Sequence, residues 1–99
     1  MSQHVYKPTV TTSSGAWSGS TMNIVPGIVC QVYVKPTSTD TVYDLTITDA
    51  NSVDRKKYTD VIGELNDVTK WPIQGVTSFS ISSATNDEAF TLQMVVEEF

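Results

Sequence analysis

Apolar and polar side chains alternate along several parts of the chain, and this pattern predicts β-strands. The clearest case is residues 41–49, where Tyr43, Leu45 and Ile47 alternate with polar or smaller residues. A period of two places successive side chains on opposite faces of a strand. Three further stretches repeat the pattern: residues 28–35, 75–83 and 88–98. We therefore expect one face of each of these strands to lie in a core.

The strand predicted at residues 28–35 contains the only cysteine of the chain. Its alternation places four side chains on one face: Ile28, Cys30, Val32 and Val34. We expect Cys30 to be buried on that face and to resist thiol reagents until the protein unfolds. A lone cysteine cannot form an intrachain disulfide, and Cys30 and His4 together cannot complete a zinc site. No metal centre is therefore predicted from these two residues.

Composition and turn spacing predict the fold class. Only 17% of the residues are charged, Val, Thr and Ser are abundant, and leucine occurs three times, a bias that favours strand over helix. Turn residues separate the predicted strands at spacings of about 8 to 12 residues. The sequence thus predicts an all-β domain of about seven or eight strands, either an antiparallel sandwich of immunoglobulin-like or jelly-roll-like type or a small barrel.

Residues 53–74 follow no single period. Ile62 and Leu65, with Val61, could form one helical turn. Gly63, Asn66 and Asp67 are unfavourable in a helix interior, so we favour short strands and loop there. Trp71 precedes a proline and should be extended within a loop that Gly75 ends. The basic run at residues 55–57 is expected to be a solvated turn.

The first twenty residues are mostly small and polar, and we expect them to form an extended arm, with the sandwich domain at residues 21–99. An arm of this composition buries too little apolar surface to order alone. Its larger side chains, Val5, Tyr6 and Trp17, are the predicted partner-binding residues. The arm could add as an edge strand to its own sheet or to a neighbour's, and we favour the neighbour's, with the arm poorly ordered in the free protein.

The formal net charge is −5, so nucleic acids and other polyanions are not expected partners. No apolar run approaches the roughly 18 residues that span a bilayer, and no secretory signal is visible. A nucleophile–histidine system would depend on His4, which lies in the arm. The chain has no glycine-rich phosphate motif, and its carboxylates lie mostly at turns and on polar strand faces. We expect no catalytic residues, no enzymatic activity and no cofactor.

One acidic turn has the spacing of a partial calcium loop. Asp49, Asn51 and Asp60 match three positions of an EF-hand, but Val53 and Asp54 stand where an oxygen ligand and a glycine are required. We expect an Asx-type hairpin turn there instead. Calcium binding is not predicted.

Three stretches together carry a family resemblance: residues 43–49, residues 72–82 and Phe90-Thr91-Leu92. Their residue pattern resembles that of small β-sandwich structural proteins of tailed bacteriophages, which include capsid decoration (cement), neck and tail accessory proteins. The resemblance covers roughly residues 28–96 and transfers no functional residue. It implies a protein made in the host cytoplasm that becomes part of a virion.

The expected function is accordingly that of a non-enzymatic virion structural protein, a capsid decoration protein that binds and stabilises a phage head lattice. Its partner would be the major capsid protein or another virion protein, and self-association, including a trimer, is expected. The alternative is a carbohydrate- or host-surface-binding sandwich of a phage tail or fibre, with Trp71 and Tyr58 as a sugar platform. An open aromatic face beside polar groups would favour the sugar site, and an apolar patch or an arm that orders on contact would favour the lattice.

Overall fold

The computed structural model of the chain describes residues 2–49, 51 and 53–99, with the backbone alone at residues 19–21. All regular structure in these residues is β-strand, which confirms the expected all-β class. Parts of two predictions, the arm at Met1 and the turn at Ala50 and Ser52, lie outside the described residues. The seven strands are β1 (Gln3–Tyr6), β2 (Thr9–Thr11), β3 (Trp17–Pro36), β4 (Val42–Asp49), β5 (Asp54–Ile62), β6 (Leu65–Ser82) and β7 (Ala89–Glu98).

A single antiparallel sheet joins these strands in the order β1-β7-β3-β6-β4-β5, and β2 also pairs with β7. β3 and β6 pair along most of their lengths, whereas β7 pairs only with the C-terminal half of β3 and β4 only with the C-terminal half of β6. The two long strands bend in the middle, so the sheet folds into two layers. Within the described part of the chain the sheet does not close, and the architecture is a sandwich.

The core lies between the two layers. β4, β5, the C-terminal half of β6 and the N-terminal half of β3 form the first layer, and β1, β2, β7 and the remaining halves form the second. Tyr43, Leu45 and Ile47 of β4 are fully buried, as their alternation predicts. The first layer contributes Ile24, Tyr43, Leu45, Ile47, Phe79 and Ile81, and the second Val10, Val29, Val32, Val34, Ile73, Phe90, Leu92, Met94 and Val96.

The bend is built from an irregularity in the ladder between β3 and β6. Ile24 lies opposite Gly75 and Gly27 opposite Ile73, so two residues of β3 face one residue of β6. An extra residue of this kind bends a strand and increases its twist. Gly75 has a φ of +80°, in the left-handed region that favours glycine. At Gly27 a Cβ atom would collide with the carbonyl oxygen of Glu97 in β7.

A second bulge, at Cys30, makes the predicted face of β3 wrong. The register of β3 against both neighbouring strands shifts between Val29 and Gln31. Because one extra residue reverses the alternation, Val29 is buried before the bulge and Val32 after it. Ile28 therefore lies on the face opposite to Val32. Cys30 is half-buried, and its Sγ donates to the carbonyl oxygen of Val95 at 3.4 Å.

The irregular stretch at residues 53–74 is extended, as expected, but it contains less loop than expected. β5 and β6 are separated only by Gly63 and Glu64. The predicted loop at Trp71-Pro72 is wrong, because both residues lie inside β6. In the described structure this half of β6 pairs only with β3, and an edge strand tolerates the missing N–H of a proline. The turn expected at residues 55–57 is also wrong, since the basic run belongs to β5.

Candidate docking surface

The N-terminal residues lie on the chain's own sheet. β1 pairs antiparallel with the C-terminal end of β7, and β2 pairs with its N-terminal end. Of the two placements that the sequence leaves open, the structure has the own-sheet one rather than the favoured neighbour's sheet. The predicted boundary between arm and domain, at residue 20, falls within β3.

The three predicted partner-binding residues occupy different environments. Val5 points outward from β1 and is 54% exposed. Tyr6 packs against the core, and its hydroxyl accepts a hydrogen bond from the Val25 N–H at 3.1 Å. Trp17 packs against the core at the start of β3, opposite Ile81. The structure therefore does not bring these side chains together on one surface, and their role in binding stays a prediction.

Side chains from the loop between β6 and β7 hold the turn that follows β2. The Asp87 carboxylate accepts hydrogen bonds from the backbone N–H groups of Ser14, at 3.1 Å, and Gly15, at 2.8 Å. The hydroxyl of Thr12, which is buried, donates to the carbonyl oxygen of Asn86 at 3.1 Å. At the other end of the arm, His4 Nε2 lies 2.9 Å from Glu98 Oε1. These contacts fix the arm at both of its ends.

Glu88 joins the same corner of the sandwich to the loop before β4. Its carboxylate accepts hydrogen bonds from the Ser38 N–H and the Thr41 hydroxyl. Burial by itself raises the pKa of Glu88, but the hydrogen bonds from Ser38 and Thr41, with a backbone contribution from Thr37, outweigh it and the net pKa is lowered. Because these groups hold a loop in place, the cluster is structural.

A row of three valines and one glutamine crosses the outer surface of the second layer. Val5 lies opposite Val95, Val95 opposite Gln31, and Gln31 opposite Val68. Residues directly opposite one another in a sheet share a face, so the row crosses β1, β7, β3 and β6. Val68 is 79% exposed, whereas Val95 is covered by its neighbours. We call these four residues the valine row, and the surface around them the valine face.

The centre of the valine face carries no charge. The row beside the valine row consists of Gln93, Tyr33 and Asn66. Gln31 donates to Asn66 Oδ1 at 2.9 Å, and Tyr33 donates to the carboxylate of Glu64 beyond β6 at 3.0 Å. The carboxylate raises the pKa of Tyr33 through this bond. Charged side chains in the strands of this face stand towards its rim, at Lys35, Lys70 and Glu97. The exposed valines, Val5 and Val68, lie on the two edge strands of the face, and the strands between them carry no charge at the centre. Depletion of charged residues at the centre is a feature of protein–protein interfaces.

The outer surface of the first layer has a different chemistry. Thr46 lies opposite Ser80, and Thr48 opposite Ser78. Lys57 and Asp54 of β5 flank these hydroxyl-bearing residues. We call this surface the hydroxyl face. Apolar side chains stand at its ends, since Ile62 is 68% exposed and Val76 is 45% exposed. Lys57 and Asp54 nevertheless place charges beside its hydroxyl groups, whereas the centre of the valine face has none.

The free strand edges have features that hinder pairing with another chain. β5 carries the basic run and, at Asp60, a φ of +52° next to a register shift against β4. The exposed half of β6 contains Lys70 and Pro72, and β1 is only four residues long. Lysines, prolines, bulges and short strands all hinder edge-to-edge association. The valine face is therefore the better candidate for a docking surface.

The Asp49 side chain holds the hairpin turn between β4 and β5. Its Oδ1 accepts from the N–H groups of Asn51 and Val53, and its Oδ2 lies 2.7 Å from Arg55 Nη2. The Val53 backbone, followed by Asn51 and Arg55, lowers the pKa of Asp49 against an opposing effect of burial. Shallow depressions beside this ion pair share Asp49, Arg55 and Gln74. Among the described residues, no cluster of three or more His, Cys, Asp or Glu could hold a metal ion.

The two aromatics of the sugar hypothesis pack against the core. Tyr58 donates to Asp67 at 2.6 Å, and Lys56 Nζ lies 5.4 Å from the centre of the Tyr58 ring. Burial, followed by the interaction with Asp67, raises the pKa of Tyr58. Trp71 is half-buried, and its Nε1 is buried without a hydrogen-bond partner among the described groups. The structure does not place these two rings on an open platform.

The sequence matches no protein-family model, and no curated protein matches it. Within the described residues there is no helix that is long and apolar enough to cross a membrane. The class that the fold defines is an all-β antiparallel sandwich.

Proposed function

We propose that this chain is a non-enzymatic structural protein of a bacteriophage particle, a capsid decoration protein that docks on the head shell through the valine face. The observation that carries the proposal is the valine row across four strands, in which Val5 and Val68 are exposed and the central positions carry no charge. A partner that covers Val5 and Val68 removes apolar surface from water and stabilises the complex. The family resemblance supports the phage origin.

The alternative, a sugar-binding module of a tail or fibre, has less support. A sugar platform needs an aromatic ring that lies open beside polar groups. Tyr58 has the Lys56 ammonium over its ring, and Trp71 packs against the core. The partner proposed is therefore the major capsid protein or another virion protein, with self-association on the shell.

The experiment compares particles from a phage genome that encodes this chain with particles from the same genome after the gene is disrupted. Intact particles should contain the chain at a fixed ratio to the major capsid protein, and purified chain should sediment with the depleted particles. Mass spectrometry and gradient sedimentation measure both. Intact particles without the chain, and no co-sedimentation, would refute the proposal.

A further inference from the structure

We infer that β1 stays paired with β7 and forms part of the docking face, and that the occupant of this face is an uncharged apolar surface of the shell rather than a second free copy of the chain. The inference rests on the proposed function and specifies its surface. It differs from a tether model, in which the arm leaves its own sheet and pairs with a neighbour's.

The side chains of β1 point to both sides of the sheet. Val5 faces outward and continues the valine row, while Tyr6 faces inward and bonds to the Val25 N–H. Further along the arm, Pro8 and Val10 are buried. If the arm left, the docking face would lose one of its four strands and Val95 would lose the neighbour opposite it. Docking through this face therefore requires the arm to stay paired with β7.

The valine face is small for an interface between two free copies. Four strands about 4.8 Å apart and about six residues long cover on the order of 400 Å². Two free copies stacked on this face would bury roughly 800 Å² in total, less than the roughly 1,200 Å² at the lower end of stable interfaces. A shell surface can extend beyond the rim and contact the loops as well, so a larger contact is available to it.

The net charge of the chain also disfavours a second copy as the occupant. The chain has a formal net charge of −5, so two copies repel each other as they approach. The uncharged centre of the face gives no attraction that offsets this repulsion. An uncharged apolar patch on a different protein is free of this repulsion and is not limited to the area of a second valine face. The shell is therefore the favoured occupant.

The test locks the arm with a disulfide. Gln3 and Glu97 are direct partners in the ladder of β1 and β7, and the variant Gln3→Cys/Glu97→Cys in a Cys30→Ala background joins the strands when oxidised. The probe is the depleted particle described above, and the reduced form of the same protein is the control. We expect the oxidised and reduced forms to bind within about twofold of each other.

Two charge variants test the face itself. Val68→Lys should weaken co-sedimentation by about tenfold or more, because it replaces an exposed apolar contact side chain with a charge. Ser82→Lys, an exposed position on the first layer, should bind like the wild type. Sedimentation of the free chain should give a monomer.

Each outcome decides between the models. If the wild type does not bind the depleted particles, both the proposed function and this inference fail. If the wild type binds but oxidation of the cysteine pair abolishes binding, the proposed function stands and the tether model replaces the inference. Equal binding of Val68→Lys and Ser82→Lys, or a free dimer that Val68→Lys dissociates, would also overturn the inference.

Discussion

The ring of Tyr43 stands edge-on to the ring of Phe90, with the ring centroids 5.2 Å apart and the planes at 83°. Edge-to-face geometry directs the positive edge of one ring at the negative face of the other. Tyr43 belongs to β4 in the first layer and Phe90 to β7 in the second, so this contact joins the layers. The Tyr43 hydroxyl also donates to the Gly63 carbonyl oxygen at 2.7 Å.

Removing the ring of Phe90 should destabilise the protein strongly. Phe90→Ala removes a buried side chain and should lower the free energy of unfolding by about 3–5 kcal/mol. The control is Phe99→Ala, since Phe99 is 74% exposed and its loss should change stability by less than about 0.5 kcal/mol. Urea denaturation measures both variants. Equal stability of the two would contradict the role of the pair in joining the layers.

The strands that form the centre of the core could be predicted because nothing interrupts their alternation. β4 and β7 contain no bulge in their inward-facing pattern, and the buried positions fall where a period of two places them. In β3 the same alternation predicts that Ile28 and Val32 share one face. The bulge at Cys30 reverses the pattern there, and no glycine or proline in residues 28–35 signals it.

The candidate surface could be predicted only in part. The alternation of β7 placed Val95 opposite to the core face, and Val5 was singled out in the arm. Val68 was missed because it lies in the irregular stretch. Its position opposite Gln31 depends on the pairing of β6 with β3, which is a contact between residues far apart in sequence. The own-sheet placement of the arm likewise depends on β7, which is the last strand of the chain.

Two glycines at the bend should respond differently to alanine. Gly27→Ala places a methyl group against the backbone of Glu97 and should lower the free energy of unfolding by roughly 2 kcal/mol or more, because the strand must shift. Gly75→Ala meets no atom within 4 Å, so only its φ of +80° is unfavourable. That strain should cost about 1 kcal/mol. Thermal unfolding of the two variants measures the difference, and a more damaging Gly75→Ala would contradict it.

The Glu88 cluster should make stability depend on pH. The folded state lowers the pKa of Glu88 below its ordinary value of 4.5, so the unfolded state binds the proton more readily. The stabilisation is therefore present above the ordinary pKa and is lost as the pH falls through the folded pKa. Glu88→Gln should lower the melting temperature at pH 7, and the difference from wild type should shrink towards pH 3.

The control for this variant is Asp40→Asn, in an exposed loop position with no side-chain hydrogen bond among the described residues. It should follow the wild type across the same pH range. Asp49, whose pKa is also lowered, should leave a residual pH dependence in Glu88→Gln. A difference between Glu88→Gln and wild type that does not change with pH would show that the charge of Glu88 does not stabilise the fold.

Removing residues 1–12 should destabilise the isolated protein. The structure places Val10 and Thr12 in buried positions, and the deletion would expose both the core beneath Val10 and the edge of β7. Burial of a valine side chain alone contributes about 1.5–3 kcal/mol, so a melting temperature lower by several degrees is expected. Val10→Ala should reproduce part of the loss without truncation, while Val5→Ala, at an exposed position, should have little effect. An unchanged melting temperature in the truncated protein would mean that the arm does not rest on β7 in solution, and the arm would again be free to bind a neighbour.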